Sequence, residues 1–275
     1  MKDDDPRQAY VLGHGSEEHR RLILQSRFVG ELTEIVFARV GLAQGMRVLD
    51  VGCGAGDVSL LAAAFVGSGG AVLGIDQSPE SVSLARERAK AAALDNVRFE
   101  VARLEEFRSE DRFDALVGRL VLLYLREPAV VLRQLAGHVR PGGIVAFHEM
   151  EMTTSRCVPD VPAWTQCGRW IVEAFARAGV ETSMGSRLYS LFQQAGLPAP
   201  EMIGGGRVEG SPQSAIYEWL AQTVRSLLPM IEKTGVATRN EVDIDTLADR
   251  LRTGLVERNA VAHAPLFVGA WTRKR

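Results

Sequence analysis

Cysteine is scarce in this chain, with three in 275 residues. Cys53, Cys157 and Cys167 make no CxxC pair and no zinc-type spacing, so a disulfide framework and a thiolate metal site are excluded. They read as reduced thiols of a cytoplasmic protein, and no metal is expected. Long apolar runs are missing too. The longest, "LLAAAFVG", is far too short to cross a bilayer, so no membrane insertion is expected. Neither charge is in surplus: 32 Lys and Arg stand against 34 Asp and Glu. That balance speaks against nucleic acid as the main partner, because phosphate binding leaves a basic excess. The opening "MKDDDPRQAY" is acidic and polar, unlike a signal peptide. Internal repeats and low-complexity linkers are also absent.

What is present is an ordinary globular composition, 46% hydrophobic, in a chain long enough for one large α/β domain with additions. From Glu17 to Val40, the residues Leu22, Leu24, Phe28, Leu32, Ile35, Val36 and Phe37 recur at roughly helical spacing. A strict alternation follows. Strands are predicted at 47–51, 71–76, 97–101, 113–119 and 144–149, and helices at 57–65, 78–94 and 129–139. Ser78 is the expected cap of the second of these helices, with Pro79 at its first position. Apolar, β-branched strands separated by helices mean a parallel sheet covered on both faces. Beyond Glu149 the rhythm breaks. Helices are predicted at 164–178, 186–195, 212–231 and 243–260, with a candidate strand in "PEMIGGGRVE" and a final strand at 266–274. Helical additions at such a place usually serve as a lid or binding wall. The expected division is an N-terminal helical segment (1–40), a cofactor-binding core (41–150), a helical insertion (151–198) and a completion of the sheet with further helices (199–275).

The chemistry concentrates in "VLDVGCGAGD". A strand, a glycine turn and a helix form a ready site for an adenosine-containing ligand. Gly52, Gly54 and Gly56 sit at places one, three and five, and Asp57 holds the sixth, where a dinucleotide fingerprint has glycine. An acid at the helix start would repel a pyrophosphate, and no Lys-Ser/Thr follows as a phosphate-binding Walker loop requires. The loop therefore favours a phosphate-free ligand carrying positive charge. S-adenosylmethionine, with its ammonium and sulfonium, fits that description. Asp50 can hold the ammonium, or tie the glycine loop through backbone amides. Asp76 lies 20 residues past Gly56, at the end of the second strand. A carboxylate there can accept both hydroxyls of a ribose, with Gln77 beside it.

The stretches "VLDVGCGAGDVSLLAA", "VLGIDQSPESVSLAR", "NVRFEVARLEEF", "FDALVGRLVLLYL" and "LRPGGIVAFHE" resemble, in order and spacing, the motifs of class I S-adenosylmethionine-dependent methyltransferases. "YVLGHGSEEHRRLILQ" and "FVGAWTRK" are similar to a bacterial small-molecule branch near the ubiquinone, menaquinone and natural-product enzymes. The resemblance implies a Rossmann-like seven-stranded sheet of order 3-2-1-4-5-7-6 with its last strand antiparallel. It implies cofactor contacts from Asp50, Gly52, Cys53, Gly54, Gly56, Asp76 and Gln77, and carries Tyr10 and Gln25 as pocket residues. The chain departs from the family after the third strand, where an acid usually accepts the adenine amino group. Here Ala102, Arg103 and Leu104 stand. Arg103 can stack on the adenine or point to solvent while the Leu104 backbone makes the contact.

Arg119 starts at the carboxyl edge of the sheet, where ligands sit. It is expected to contact cofactor or substrate, with an ion pair to Glu149 or Glu151 as the alternative. His148 is the candidate general base, and His14 and His19 are weaker ones. Glu149, Tyr124, Trp164 and Trp170 are candidates for the acceptor side, the tryptophans competing with a plain helix-core role. The expected activity is in-line methyl transfer to a small-molecule acceptor at O, N or C. An enzyme acting on a macromolecule and a non-methylating binder of the same ligand are the alternatives. "GRLVLL" after the fourth strand lacks the Asn/Asp-Pro-Pro-aromatic tetrapeptide of amino-methylating nucleic-acid enzymes, and the helical additions permit a homodimer.

Overall fold

A computed structural model describes the backbone of residues 16–275 and the side chains of residues 28–275. The first helix, α1 (Ser16–Val40), ends at Gly41, whose φ of 76° lets the chain turn where a β-carbon would be strained. Its buried stripe from residue 28 onward is Phe28, Val29, Thr33, Val36, Phe37 and Val40, while Ile35 is exposed. The stripe expected from sequence is therefore rotated at that position and includes a threonine.

Five strands and three helices then alternate as expected: β1 (Arg47–Val51), α2 (Asp57–Val66), β2 (Ala71–Asp76), α3 (Pro79–Ala91), β3 (Val97–Val101), β4 (Phe113–Arg119), α4 (Pro128–Ala136) and β5 (Val139–Glu151). The order arises from local chemistry. Val48, Leu49 and Val51 are fully buried, as a strand covered on both faces requires. Ser78 caps α3, its hydroxyl accepting the Ser81 amide at 3.1 Å, and Pro79 supplies the fixed φ of the first turn. The remaining elements are β6 (Arg156–Val158), α5 (Pro162–Arg177), α6 (Met184–Gln194), β7 (Glu201–Gly205), β8 (Val208–Glu209), α7 (Ile216–Lys233), α8 (Arg239–Val242), α9 (Leu247–Glu257), β9 (Val261–His263) and β10 (Leu266–Arg273).

The chain divides into two compact units. One contains 29–150, 184–205 and 267–275. It holds a seven-stranded sheet in the order β3-β2-β1-β4-β5-β10-β7. Counted along the chain within that sheet, the order is 3-2-1-4-5-7-6. The β1–β2, β2–β3, β1–β4 and β4–β5 pairings are parallel and the β10–β7 pairing is antiparallel. The reversal after β1 brings the carboxyl ends of β1 and β4 side by side, which opens the crevice where ligands sit in such sheets.

The other unit gathers Phe28, 151–183 and 206–266. Helices α5, α7 and α9 pack there beside a three-stranded sheet of order β6-β9-β8. Its strands are only two or three residues long, too short to leave a period in the sequence. The helix expected over 243–260 is shorter, α9 at Leu247–Glu257, and the four-residue α8 precedes the expected range. Asp243, at φ 42°, breaks the chain after α8, and a capping box from Thr238 to Glu241 starts it. The stretch "PEMIGGGRVE" supplies strands to two different sheets, β7 and β8.

Within the first unit, Gly74 on β2 decides the packing under the site. A β-carbon there would lie 2.6 Å from the Phe99 ring and 2.7 Å from the Ser59 hydroxyl. Its absence lets Phe99 slide beneath the glycine loop and Ser59 approach Asp50. Gly74→Ala is expected to destabilise the protein by about 1–3 kcal/mol through overpacking, read as a lowered urea midpoint with an unchanged slope.

Candidate functional site

The glycine loop is built as its spacing demands. Gly52, Gly54 and Gly56 adopt φ of 67°, 50° and 87°. Only glycine enters this left-handed region without penalty. A β-carbon on Gly52 would sit 2.5 Å from Val121, so the turn after β4 closes directly on the loop.

Asp50 lies at the end of β1 and is 1% exposed. One oxygen, Oδ2, accepts the Ser59 hydroxyl at 2.5 Å. The other, Oδ1, is buried with no hydrogen-bond partner among the described residues. Burial pushes this carboxyl up to about 7, although the Ser59 bond and the Arg119 charge pull the other way. A carboxylate buried this way is costly unless a donor or cation completes it.

Asp76 works differently. Its Oδ2 accepts the Gly54 amide and its Oδ1 the Ser78 amide, both at 2.9 Å. Each oxygen keeps a lone pair for a further donor. These bonds refine the argument against phosphate. The Gly54 amide is committed to Asp76, the Cys53 amide to Ile75 and the Gly56 amide to Cys53. Loop amides that would form an anion nest are thus already used. The sixth-place acid contributes less than expected, because Asp57 is paired with Arg88 at 2.7 Å and partly neutralised.

Arg119 lies in the field of Asp57 and Asp50, and burial lowers its pKa against their attraction. The alternative of an ion pair to a glutamate is not what forms: Thr33 Oγ1 accepts Arg119 Nη1 at 3.3 Å. His148, 3% exposed, also meets Thr33, with Nδ1 to Oγ1 at 3.2 Å. Burial, assisted by Arg119, holds this imidazole down to about 3, so it is neutral at physiological pH.

Two expectations are corrected, and for Arg103 the solvent-facing alternative is the one found. Glu149 does not face an acceptor: it is fully buried, and its Oε1 accepts the Val121 and Leu122 amides at 3.0 and 2.8 Å. It locks the turn that closes on Gly52, and burial raises its carboxyl to about 8. Trp164 and Trp170 are 1% and 5% exposed on α5, in the core of the other unit. Trp164 spends its indole N–H on Ser155 Oγ at 3.0 Å, and both rings are buried as core residues. Arg103 points outward, paired with Glu106 at 3.5 Å, while Leu104 beside it is buried. Cys53 is buried within the loop, where burial and then Asp50 and Asp76 raise its thiol pKa, as suits a packing residue. Gln77 is exposed next to Asp76, and Tyr124 is half-buried at the end of the turn after β4. Tyr10 and His14 lie outside the described residues, as do the side chains of His19 and Gln25.

Sequence reading missed Ser59, Arg88 and Thr33. Ser59 carried a signal as a polar residue in the apolar run of α2, and Thr33 as a polar member of the stripe on α1.

Residues 42–196 match the family model described as a methyltransferase domain, more than half of the chain. The chain belongs to that family. Among curated proteins, the chain is 36% identical over 137 residues to the ubiquinone biosynthesis O-methyltransferase of Paracidovorax citrulli, covering 47% of this chain and 56% of that protein. It is 35% identical over 136 residues to the 2-phytyl-1,4-naphtoquinone methyltransferase of Synechococcus elongatus, covering 48% and 57%. The matches span about half the length of these curated relatives. Among solved structures, coclaurine N-methyltransferase bound to N-methylheliamine and SAH aligns with a TM-score of 0.51 at 15% identity, covering 86% of this chain and 72% of that one. The [4+2]-cyclase SpnF aligns at 0.50 and 19% identity, covering 89% and 80%. These two likenesses concern the fold alone.

The raised carboxyl of Asp50 has a sign that can be tested. Stability present below the unfolded value of 3.8 is lost as pH rises to about 7, because the folded state then holds an uncompensated buried charge. Asp50→Asn removes that charge. The variant is expected to be more stable than the parent at pH 8 by a few kcal/mol, and the gap should shrink towards pH 4, as read from urea midpoints at both values.

Proposed function

We propose that this methyltransferase domain moves a methyl group from S-adenosylmethionine to a small-molecule acceptor. The observation that carries the proposal is the unpartnered Asp50 Oδ1, buried at the head of a left-handed glycine loop, with the two-oxygen acceptor Asp76 one strand away. The residues present fit the cofactor. Asp50 meets its ammonium, the glycine loop admits its chain past backbone, and the spare lone pairs of Asp76 receive its ribose hydroxyls. Leu104 offers an apolar surface to the adenine, with Gln77 at its rim. When bound, S-adenosylmethionine supplies a methyl group already activated on a sulfonium, so the protein's main task is proximity and alignment.

The protein contributes little acid–base machinery of ordinary strength. His148 is the candidate base. Its neutral imidazole can receive a proton from an acceptor as that proton becomes acidic during methyl transfer. Arg119 favours return of the proton to solvent by disfavouring the imidazolium. Small-molecule chemistry in the named relatives and the near-neutral net charge of −2 support a small acceptor over a nucleic acid.

The decisive experiment incubates the protein with methyl-labelled S-adenosylmethionine and a panel of quinols, phenols and amines. Formation of S-adenosylhomocysteine together with a labelled acceptor is the expected result. Cofactor binding without either product on any acceptor would favour a non-methylating binder of the same ligand. Asp76→Asn, which places an amide donor against the Gly54 or Ser78 N–H, is expected to weaken cofactor binding about 100-fold, matching the loss of two charge-assisted bonds. Titration calorimetry measures it, and undiminished affinity would remove Asp76 from the site.

A further inference from the structure

Thr33 sits where three groups converge. Its Oγ1 donates to the Val29 carbonyl at 3.0 Å, one turn back on α1. Arg119 Nη1 donates to the same oxygen at 3.3 Å. His148 Nδ1 lies 3.2 Å away. A hydroxyl has one proton and two lone pairs. With the proton on Val29 and one lone pair on Arg119, the second lone pair can only accept. Nδ1 must then carry a hydrogen, and Nε2 holds the lone pair of the neutral ring. Nε2 has no hydrogen-bond partner among the described residues. The ring itself is held edge-on against Phe267, with centroids 5.5 Å apart at 64°. Its orientation is therefore set by packing and its protonation by Thr33.

We infer that Thr33 is a positioning residue that fixes His148 as the Nδ1–H tautomer, leaving Nε2 to receive the proton of a hydroxyl-bearing acceptor. The inference rests on the methyltransferase reading and narrows its acceptor class. A hydroxyl needs such a partner more than an amine does. A neutral hydroxyl oxygen methylated without losing its proton becomes a strongly acidic oxonium, whereas a methylated ammonium can lose its proton later to water. As the oxygen lone pair forms the new O–C bond, the C–S pair stays on sulfur, the O–H pair stays on oxygen and the proton passes to Nε2. The imidazolium then returns it to solvent. Arg119 is part of the same arrangement, because its bond to Thr33 occupies the lone pair that would otherwise leave the hydroxyl free to turn.

The test compares the parent protein with Thr33→Val, which keeps the shape and removes the hydroxyl, and Thr33→Ser, which keeps the hydroxyl. Nitrogen-15 spectra of the imidazoles, with His148 assigned through His148→Ala, report the tautomer without any acceptor. The expected spectra show Nδ1–H in the parent and in Thr33→Ser, and a mixture of tautomers in Thr33→Val. With 1,4-dihydroxynaphthalene as acceptor, Thr33→Val is expected to lose about tenfold in kcat, a modest part of what a general base contributes. The KM for S-adenosylmethionine should be unchanged, and Thr33→Ser should restore turnover. An Nε2–H ring in the parent, or a Thr33→Val protein unaltered in both tautomer and kcat, would overturn the inference. Transfer to 1-naphthylamine but not to the diol would overturn its acceptor class. A protein that binds cofactor, shows Nδ1–H and methylates neither probe would instead count against the methyl-transfer reading, with the tautomer assignment supported.

Discussion

A carboxylate buried with half of its hydrogen-bonding capacity unmet is the constraint on which this site depends. Among the described residues, Asp50 is held by Ser59 alone, and its second oxygen meets no donor. Such a group lowers the stability of the free protein, since desolvation of a charge outweighs one neutral hydrogen bond and the Arg119 charge. The surrounding structure tolerates the cost and shapes itself to it. Gly74 lacks a side chain so that Ser59 can reach Asp50. Gly52 lacks one so that Val121 can close over the loop. Glu149, a second buried carboxylate, holds Val121 and Leu122 in place by their amides. The first strand, the loop, the turn after β4 and the end of β5 form one connected arrangement around Asp50.

Three acids at the sheet edge do three different things, and their environments say which. Asp76 has both oxygens on backbone amides, so it organises the loop and keeps lone pairs to spare. Asp57 is paired with Arg88, which also reaches the Ala55 carbonyl, so it ties α3 to the loop. Asp50 alone is left incomplete. Residue type did not separate these roles, because all three are aspartates at strand or helix ends. Partner geometry does. The same distinction applies between His148 and Glu149, neighbours on β5 whose side chains leave on opposite sides. One is tied to α1 through Thr33, the other to the β4 turn.

Much of this was legible in the sequence where the signal was local. The glycine spacing, the apolar strands and Ser78-Pro79 are short-range features and appear where expected, except that β5 starts at Val139, earlier than the expected 144. The order of the sheet came from resemblance and is the order observed. Contacts between distant residues were not legible. Thr33 and His148 are 115 residues apart, and nothing in either local stretch announces the other. The tryptophans of α5 were ambiguous because an aromatic at helical spacing fits a core and a pocket wall equally well, and their burial places both in the core. Glu149 failed because alternation along a strand says which residues share a face, not what lies opposite it. The three-stranded sheet of the other unit escaped because its strands are shorter than one readable period.

The central claim is that Asp50 is completed by the cofactor ammonium, and proton release on binding tests it most directly. Calorimetric titration of S-adenosylmethionine at pH 7, repeated in buffers of different ionisation enthalpy, counts the protons exchanged. With a free-state carboxyl raised to about 7, binding of a cation should expel roughly half a proton from the parent relative to Asp50→Asn, with weaker binding by the variant. Equal affinity and equal proton exchange in the two proteins would contradict the account.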